Sequence, residues 1–320
     1  MFHLARMLKF NLFDKLKEFT MQIKKILVPT DFSETAKAAL DQALFLTAKF
    51  DAELTVLHAR LLFEDDPVEM EEKLKKVESE EHEVEALLLE KMRKKTEKHT
   101  HLKIKHEIIR GYSAPSAILG YINKNDFDLV VLGTHGRTGL EYFLIGSVAE
   151  KVVRYARCPV LTVRSAEFIK EKFKKILVPL DFSEPSMEAL KTAAEWAEMD
   201  GSELHLLYAV DQEVHPALYA WGMKSVLDMI PDIKEKVEKR MAESVSAFSE
   251  LKNRKIVKVL REGKAHKEIA KYVEEENLDL IVIGTHGMVG LDRLLLGSTT
   301  ERVIRSVKLP VLTVKHKNII

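Results

Sequence analysis

One half of this chain repeats the other. KKILVPTDFSE at 24–34 returns as KKILVPLDFSE at 174–184, and AELTVLHA at 52–59 as SELHLLYA at 202–209. DLVVLGTHG at 128–136 returns as DLIVIGTHG at 279–287, and CPVLTV at 158–163 as LPVLTV at 309–314. The order is kept over a period of about 150 residues, which points to a duplicated domain and excludes a short-period solenoid. A length of 320 residues accommodates two such domains. We place them at 21–164 and 172–316, joined near the polar connector SAEFIKEKF at 165–173 and preceded by an extension at 1–20.

Within each copy, apolar β-branched runs alternate with amphipathic stretches. Continuous runs such as ILV and DLVVLG read as strands buried on both faces. In copy one we expect strands near 23–29, 53–59, 103–109, 128–133 and 159–163, with helices over 33–50, 68–99, 114–124 and 147–156. Copy two repeats the strands at 174–179, 203–209, 255–260, 279–284 and 310–314. Such alternation implies parallel strands with right-handed crossovers, an α/β doubly wound sheet in each copy.

In such sheets a ligand sits beyond the carboxyl ends of the strands, where the strand order reverses. There the chain places GTHGRTGLEYFLIGS, residues 133–147, and GTHGMVGLDRLLLGS, 284–298. Gly133 and Gly136 suit positive φ and close approach of backbone N–H groups to a ligand. Gly146-Ser147 then opens a helix whose N-terminus suits a phosphate. Gly284, Gly287, Gly297 and Ser298 repeat the arrangement. Two plainer readings stand beside this one. Ser147-x-x-Glu150 and Ser298-x-x-Glu301 match a capping box, so each serine can cap its helix, and glycine after a strand is ordinary turn chemistry. The nine-residue spacer, constant in length while its residues differ, favours a spatial role.

G-x-x-G, nine residues, then G-S resembles the ATP-binding signature of the universal stress protein family, as do VPTDFS, VPLDFS and the closing PVLTV strands. The resemblance covers 21–164 and 172–316. It implies a Rossmann-like five-stranded parallel sheet of order 3-2-1-4-5 in each copy. It also implies an adenine nucleotide, ATP or AMP, with or without Mg²⁺, bound beside the first and fourth strands. Carried over by position, the site residues of copy one are Pro29, Thr30, Asp31, Ala59, Gly133, His135, Gly136, Arg137, Gly146, Ser147 and Val148. In copy two they are Pro179, Leu180, Asp181, Ala209, Gly284, His286, Gly287, Gly297, Ser298 and Thr299. Asp31 and Asp181 correspond to the nucleoside-contacting aspartate. Their plainer reading is a turn into a helix capped by Ser33 or Ser183. In that family the VLTV edges pair across a dimer, so the two copies are expected to pair within the chain, with a homodimer of such chains left open.

Fifty basic and fifty acidic residues give a net charge of zero, which removes the electrostatic footprint of a nucleic-acid binder. A single cysteine, Cys158, fits a reducing cytoplasm and reads as a packed thiol. No run approaches the ~18 apolar residues of a membrane span, and charges interrupt the first twenty residues. That extension reads as an amphipathic helix, an interfacial anchor, or sequence upstream of a true start at Met21. No Walker A motif and no metal-ligand spacing occur. His135 and His286 lie in the glycine loops, where a role in shaping the backbone outweighs that of a base. The segment 211–223 is the least legible: it covers the site or packs between domains. The leading expectation is a regulatory nucleotide-binding protein of stress response, and a slow ATPase or adenylate-handling enzyme is the alternative. Arg137 in copy one is replaced by Met288 in copy two. An arginine there reaches distal phosphates, unless it is a plain surface charge. Copy two, left with backbone donors and Lys264, is therefore expected to bind ATP more weakly than copy one. Titration of the separately expressed copies checks this, and equal affinities would count against it.

Overall fold

The computed structural model describes residues 22–61, 70–135, 145–210, 232–285 and 296–315, with the backbone alone over 70–82. The extension at 1–20 and the segment 211–223 lie outside them. By packing, the chain divides into two compact units. Residues 22–171 join 294–313 in the first, and 172–293 join the chain from Val314 in the second.

The first unit is built from β1 (Lys25–Pro29), α1 (Glu34–Phe50), β2 (Glu53–Leu61), α2 (Met70–Thr96), β3 (Lys103–Gly111), α3 (Ala114–Asn125), β4 (Leu129–Gly133), α4 (Ser147–Tyr155) and β5 (Val160–Val163). The second follows with β6 (Lys175–Pro179), α5 (Glu184–Asp200), β7 (Glu203–Val210), α6 (Ile233–Ser246), β8 (Ile256–Glu262), α7 (Ala265–Glu276) and β9 (Leu280–Gly284). The chain ends with α8 (Ser298–Ser306) and β10 (Val311–Val314).

In the first unit the strands run parallel, as the alternation predicts, in the order β3-β2-β1-β4-β5 that the resemblance implies. The order reverses between β1 and β4, so the crevice for a ligand opens at their carboxyl ends. The second unit repeats the arrangement as β8-β7-β6-β9, all parallel. Both units are α/β. The β-branched runs make the core: Ile26, Leu27, Val28, Leu129, Val130 and Val131 are fully buried, as are Ile176, Leu177, Val178, Leu280, Ile281 and Val282.

Local chemistry explains the boundaries. Ser33, Ser113 and Ser183 cap α1, α3 and α5 by accepting from Ala36, Ser116 and Ser186 N–H. The leading aspartate of each DLxVxG strand has a fixed task. Asp128 Oδ2 accepts from Lys24 and Lys25 N–H at 2.8 and 2.9 Å, and Asp279 Oδ2 does the same for Lys174 and Lys175. These charge-assisted bonds tie the start of the fourth strand to the start of the first. Most expected boundaries hold to within one or two residues. The main difference is the helix expected over 68–99, which is α-helical over Met70–Thr96 and closes in a 3₁₀ turn at Glu97–His99. The connector carries buried anchors. The Gln42 amide bonds both the carbonyl and the N–H of Lys170, and Phe173, fully buried, stacks on Trp196.

The two VLTV strands pair antiparallel, Val160 opposite Thr313 and Thr162 opposite Val311. Thr162 Oγ1 donates to the Val311 carbonyl at 3.2 Å and Thr313 Oγ1 to the Val160 carbonyl at 3.1 Å. Beside them Arg164 donates to the carbonyls of Arg305 and Val307 at the end of α8. Among the described residues no helix is long and apolar enough to cross a membrane.

Copy two departs from copy one beneath its sheet, where His205 replaces Thr55. His205 is buried, shares a hydrogen bond through Nδ1 with Tyr272 OH at 2.6 Å, and holds Nε2 3.1 Å from Glu203 Oε1. That second contact is too poorly aligned to count as a hydrogen bond. Burial pushes the imidazole below the ordinary histidine value of 6.5; Glu203 opposes the shift and Lys175 adds to it. Burial also raises the Tyr272 hydroxyl to about 12. An unfolded His205 takes up its proton near its ordinary value, where the folded one stays neutral. Stability from this site is therefore full above that pH and is lost as pH falls toward the depressed folded value. We expect the urea midpoint of the second unit, read by tryptophan fluorescence, to drop from about pH 7 to about pH 5. His205→Thr should flatten that slope.

Candidate functional site

A cavity of about 250 Å³ opens at the carboxyl ends of β1, β2 and β4, close to the ~300 Å³ at which small-molecule sites begin. Its wall is apolar toward α3, from Leu57, Ala59, Ala114, Ile118 and Leu132. Its polar side is formed by Thr30, Asp31, His58, Thr134, His135 and Ser147. Asp31 sits in the turn after β1, where its Oδ1 accepts from Ser33 N–H at 3.0 Å. The plainer reading of Asp31 is thus realised, and the same residue also faces the cavity. His58 was not anticipated. It lies on β2 beside Ala59 and contacts the Thr30 carbonyl through Nδ1 at 2.7 Å. A carbonyl only accepts, so Nδ1 carries the proton.

The other end of the cavity is the first turn of α4, Gly146 through Ala149. The chain leaves β4 at Thr134, whose N–H bonds the Val163 carbonyl, and returns at Gly146, whose N–H bonds the Thr134 carbonyl at 2.7 Å. The N-cap of α4 is Gly146, in extended backbone and with no side-chain cap; Ser147 is the first helical residue. The capping-box reading is therefore overturned, because the serine lies one position too late to cap. In copy two, α8 likewise starts on Gly297, with no side-chain cap and with Ser298 inside the helix. Helices capped by serine elsewhere in the chain satisfy these donors internally; α4 presents them to the cavity. With the positive end of the helix dipole, that is a place for an anion.

Gly133 also departs from expectation. It is not in the left-handed region. A Cβ there would stand 2.7 Å from Thr35 C and Oγ1 and 2.9 Å from Ala36 N. Close packing of α1, and not positive φ, requires this glycine. Gly284 is pressed in the same way by Pro185. Past Gly133, the Thr35 and Ser33 hydroxyls donate to the His135 carbonyl, and His135 Nδ1 bonds Thr134 Oγ1 at 2.8 Å. The cap of α1 thereby holds the start of the glycine loop.

Of the residues expected in copy one, the structure brings Pro29, Thr30, Asp31, Ala59, Gly133, His135, Gly146, Ser147 and Val148 to one cavity. Gly136 and Arg137 lie outside the described residues, as do His286, Gly287 and Met288. In the second unit, Pro179 and Gly284 end β6 and β9, and Ala209 lies near the end of β7. Leu180 N–H bonds the Leu207 carbonyl at 2.8 Å, as Thr30 N–H bonds Leu57 in copy one. Asp181 Oδ1 accepts from Ser183 N–H and Oγ. Gly297, Ser298 and Thr299 belong to the first unit. Cys158 is buried. Among the described residues no cluster of three metal-ligating side chains occurs.

Fold and site define a tandem, doubly wound α/β protein with an anion-ready crevice at its topological switch point. The Universal stress protein family model matches residues 22–164 and again 172–315, and the chain belongs to that family. It is similar to universal stress protein MJ0531 of Methanocaldococcus jannaschii, 36% identical over 143 residues, covering 45% of this chain and 82% of that protein. It is 26% identical over 308 residues to Slr1230 of Synechocystis, covering 91% of this chain and 99% of that one. The solved universal stress protein of Archaeoglobus fulgidus, 24% identical, covers 92% of this chain and 99% of its own, with a TM-score of 0.62, and shows the same fold.

The packing at β4 yields a contrast. Gly133→Ala forces the start of α1 to shift and should destabilise the first unit by about 1–3 kcal/mol. Gly120→Ala, in α3 with nothing within 4 Å, should instead stabilise it by about 0.5–1 kcal/mol. Chemical denaturation of the two variants reads the difference.

Proposed function

We propose that the chain binds an adenine nucleotide, ATP or AMP, and serves as a regulatory nucleotide-binding protein of the stress response. The observation that carries this is the first turn of α4: a helix begun on glycine, without a side-chain cap, lines a cavity that apolar side chains and the Asp31 carboxylate also line. A nucleotide has the matching parts in the same sequence. Phosphates fit the helix N-terminus, a ribose offers hydroxyl donors to Asp31, and a base suits the apolar lining that includes Ala59, Ala114 and Ile118. The family resemblance implies the same ligand. Mg²⁺, where present, would be held through the phosphates more than by the protein.

The backbone donors can be tested one at a time. Proline at the first helical position keeps the helix but removes its N–H, and the extended backbone of Gly146 (φ −63°, ψ 146°) tolerates a following proline. Ser147→Pro should weaken ATP binding by about tenfold or more, the value of a hydrogen bond to a charged group. Ser147→Ala, which keeps the N–H, should lose less. Calorimetric titration measures both, and mass spectrometry of ligand released by heating identifies what the purified protein carries. No ATP or AMP binding at millimolar concentration would end this reading.

A further inference from the structure

The turn that carries Asp31 is strained, and so is its counterpart in copy two. Phe32 has φ +68° and Phe182 has φ +61°. A bulky L-residue in that region costs about 1–2 kcal/mol, and glycine at the same place would cost nothing. Both copies nevertheless use phenylalanine, and both set its ring against a second ring and a cation. In copy one the ring lies 4.9 Å from the His58 imidazole, with Lys91 Nζ 4.2 Å and Lys95 Nζ 5.8 Å from its centroid. In copy two it stacks on Tyr208 at 5.3 Å, and the Arg240 guanidinium sits 4.6 Å from it.

The partners differ while the arrangement does not. One ring comes from near the end of the second strand, and the cations come from the following crossover helix, two lysines of α2 or one arginine of α6. Two copies that differ in both the ring and the cationic partners still meet the same mechanical requirement. Ring–cation contacts of this kind contribute about 0.5–2 kcal/mol, enough to offset the turn's strain. What lies next to the strained residue says what it serves. Asp31 precedes Phe32, and it lines the cavity together with His58. Asp181 precedes Phe182, and its charge helps burial to raise the Tyr208 hydroxyl above its ordinary value, which places the carboxylate beside the same cluster.

We infer that Phe32 and Phe182 are positioning residues: each clamped ring holds a left-handed turn that aims the preceding aspartate at the nucleoside part of the ligand. This rests on the nucleotide reading above. Strain held by packing, rather than relieved by glycine, keeps a carboxylate pre-set for its partner.

The test uses the full chain with Asp181→Asn as the common background, which removes the second copy's counterpart of Asp31, and compares Phe32→Gly with Phe32→Tyr. Glycine relieves the strain while removing the clamp. Its expected signature is about a tenfold loss of ATP affinity, the value of one hydrogen bond to a charged group, with inorganic triphosphate binding unchanged. The urea midpoint should stay level or rise. Phe32→Tyr keeps the ring and should restore ATP affinity to near that of the parent. Unchanged ATP affinity in Phe32→Gly would overturn the inference while leaving nucleotide binding intact. So would a parallel loss of ATP binding, triphosphate binding and stability, which marks general structural damage. A parent protein that binds triphosphate and ATP equally would remove the aspartate's role, and one that binds neither would remove the nucleotide reading itself.

Discussion

The carboxyl end of the first sheet is organised by the absence of one carbon atom, at the close of β4. Because Gly133 has no Cβ, the first turn of α1 can press against it, at distances that no other residue would tolerate. That approach brings the Thr35 and Ser33 hydroxyls to the His135 carbonyl and sets where the chain leaves the sheet. It also fixes the cap of α1, and with it the Asp31 turn that lines the cavity. Strand end, helix start and loop root are therefore packed together, and they line part of the cavity. Copy two makes the same approach with Pro185 against Gly284, so the constraint outlives a change of side chain.

Much of this was legible in the residues. Duplication gave the two matched segments, and continuous apolar runs gave strands buried on both faces, hence a parallel doubly wound sheet. Nine of the expected site residues in copy one meet at one cavity because a strand's carboxyl end is fixed by its last apolar residue, which sequence shows well. What sequence showed poorly was which of two jobs a small residue performs. Gly133 looks like a hinge for ligand approach and acts as a seat for a helix. Ser147 looks like a cap and is the first helical residue, because Gly146 already occupies the cap position in extended backbone. A pattern of four residues cannot distinguish registers one step apart.

Side chains that meet across the fold were less visible still. His58 and Phe32 lie 26 positions apart in the chain, and nothing local says that their rings will touch. The one available signal was the repeat itself: an aromatic or imidazole ring stands at 58 and 208, and phenylalanine at 32 and 182. A position that changes only from one ring to another, as His58 to Tyr208 does beside an unchanged Phe, is where a long-range contact is kept. The His205–Tyr272 bond had no such signal, since copy one keeps the tyrosine, as Tyr121, but carries Thr55 in place of the histidine.

The seam between β5 and β10 carries a different lesson. Its reciprocal threonine bonds join two strands that travel on one polypeptide, so the partner is always present at high effective concentration. Identical subunits that meet by diffusion must keep matching surfaces, and any drift in one appears in both. A tethered pair escapes that symmetry: one repeat can change while its twin does not, and the two strands still meet because one backbone joins them. Thr35 in one copy and Pro185 in the other, each pressed against its glycine, make one such difference.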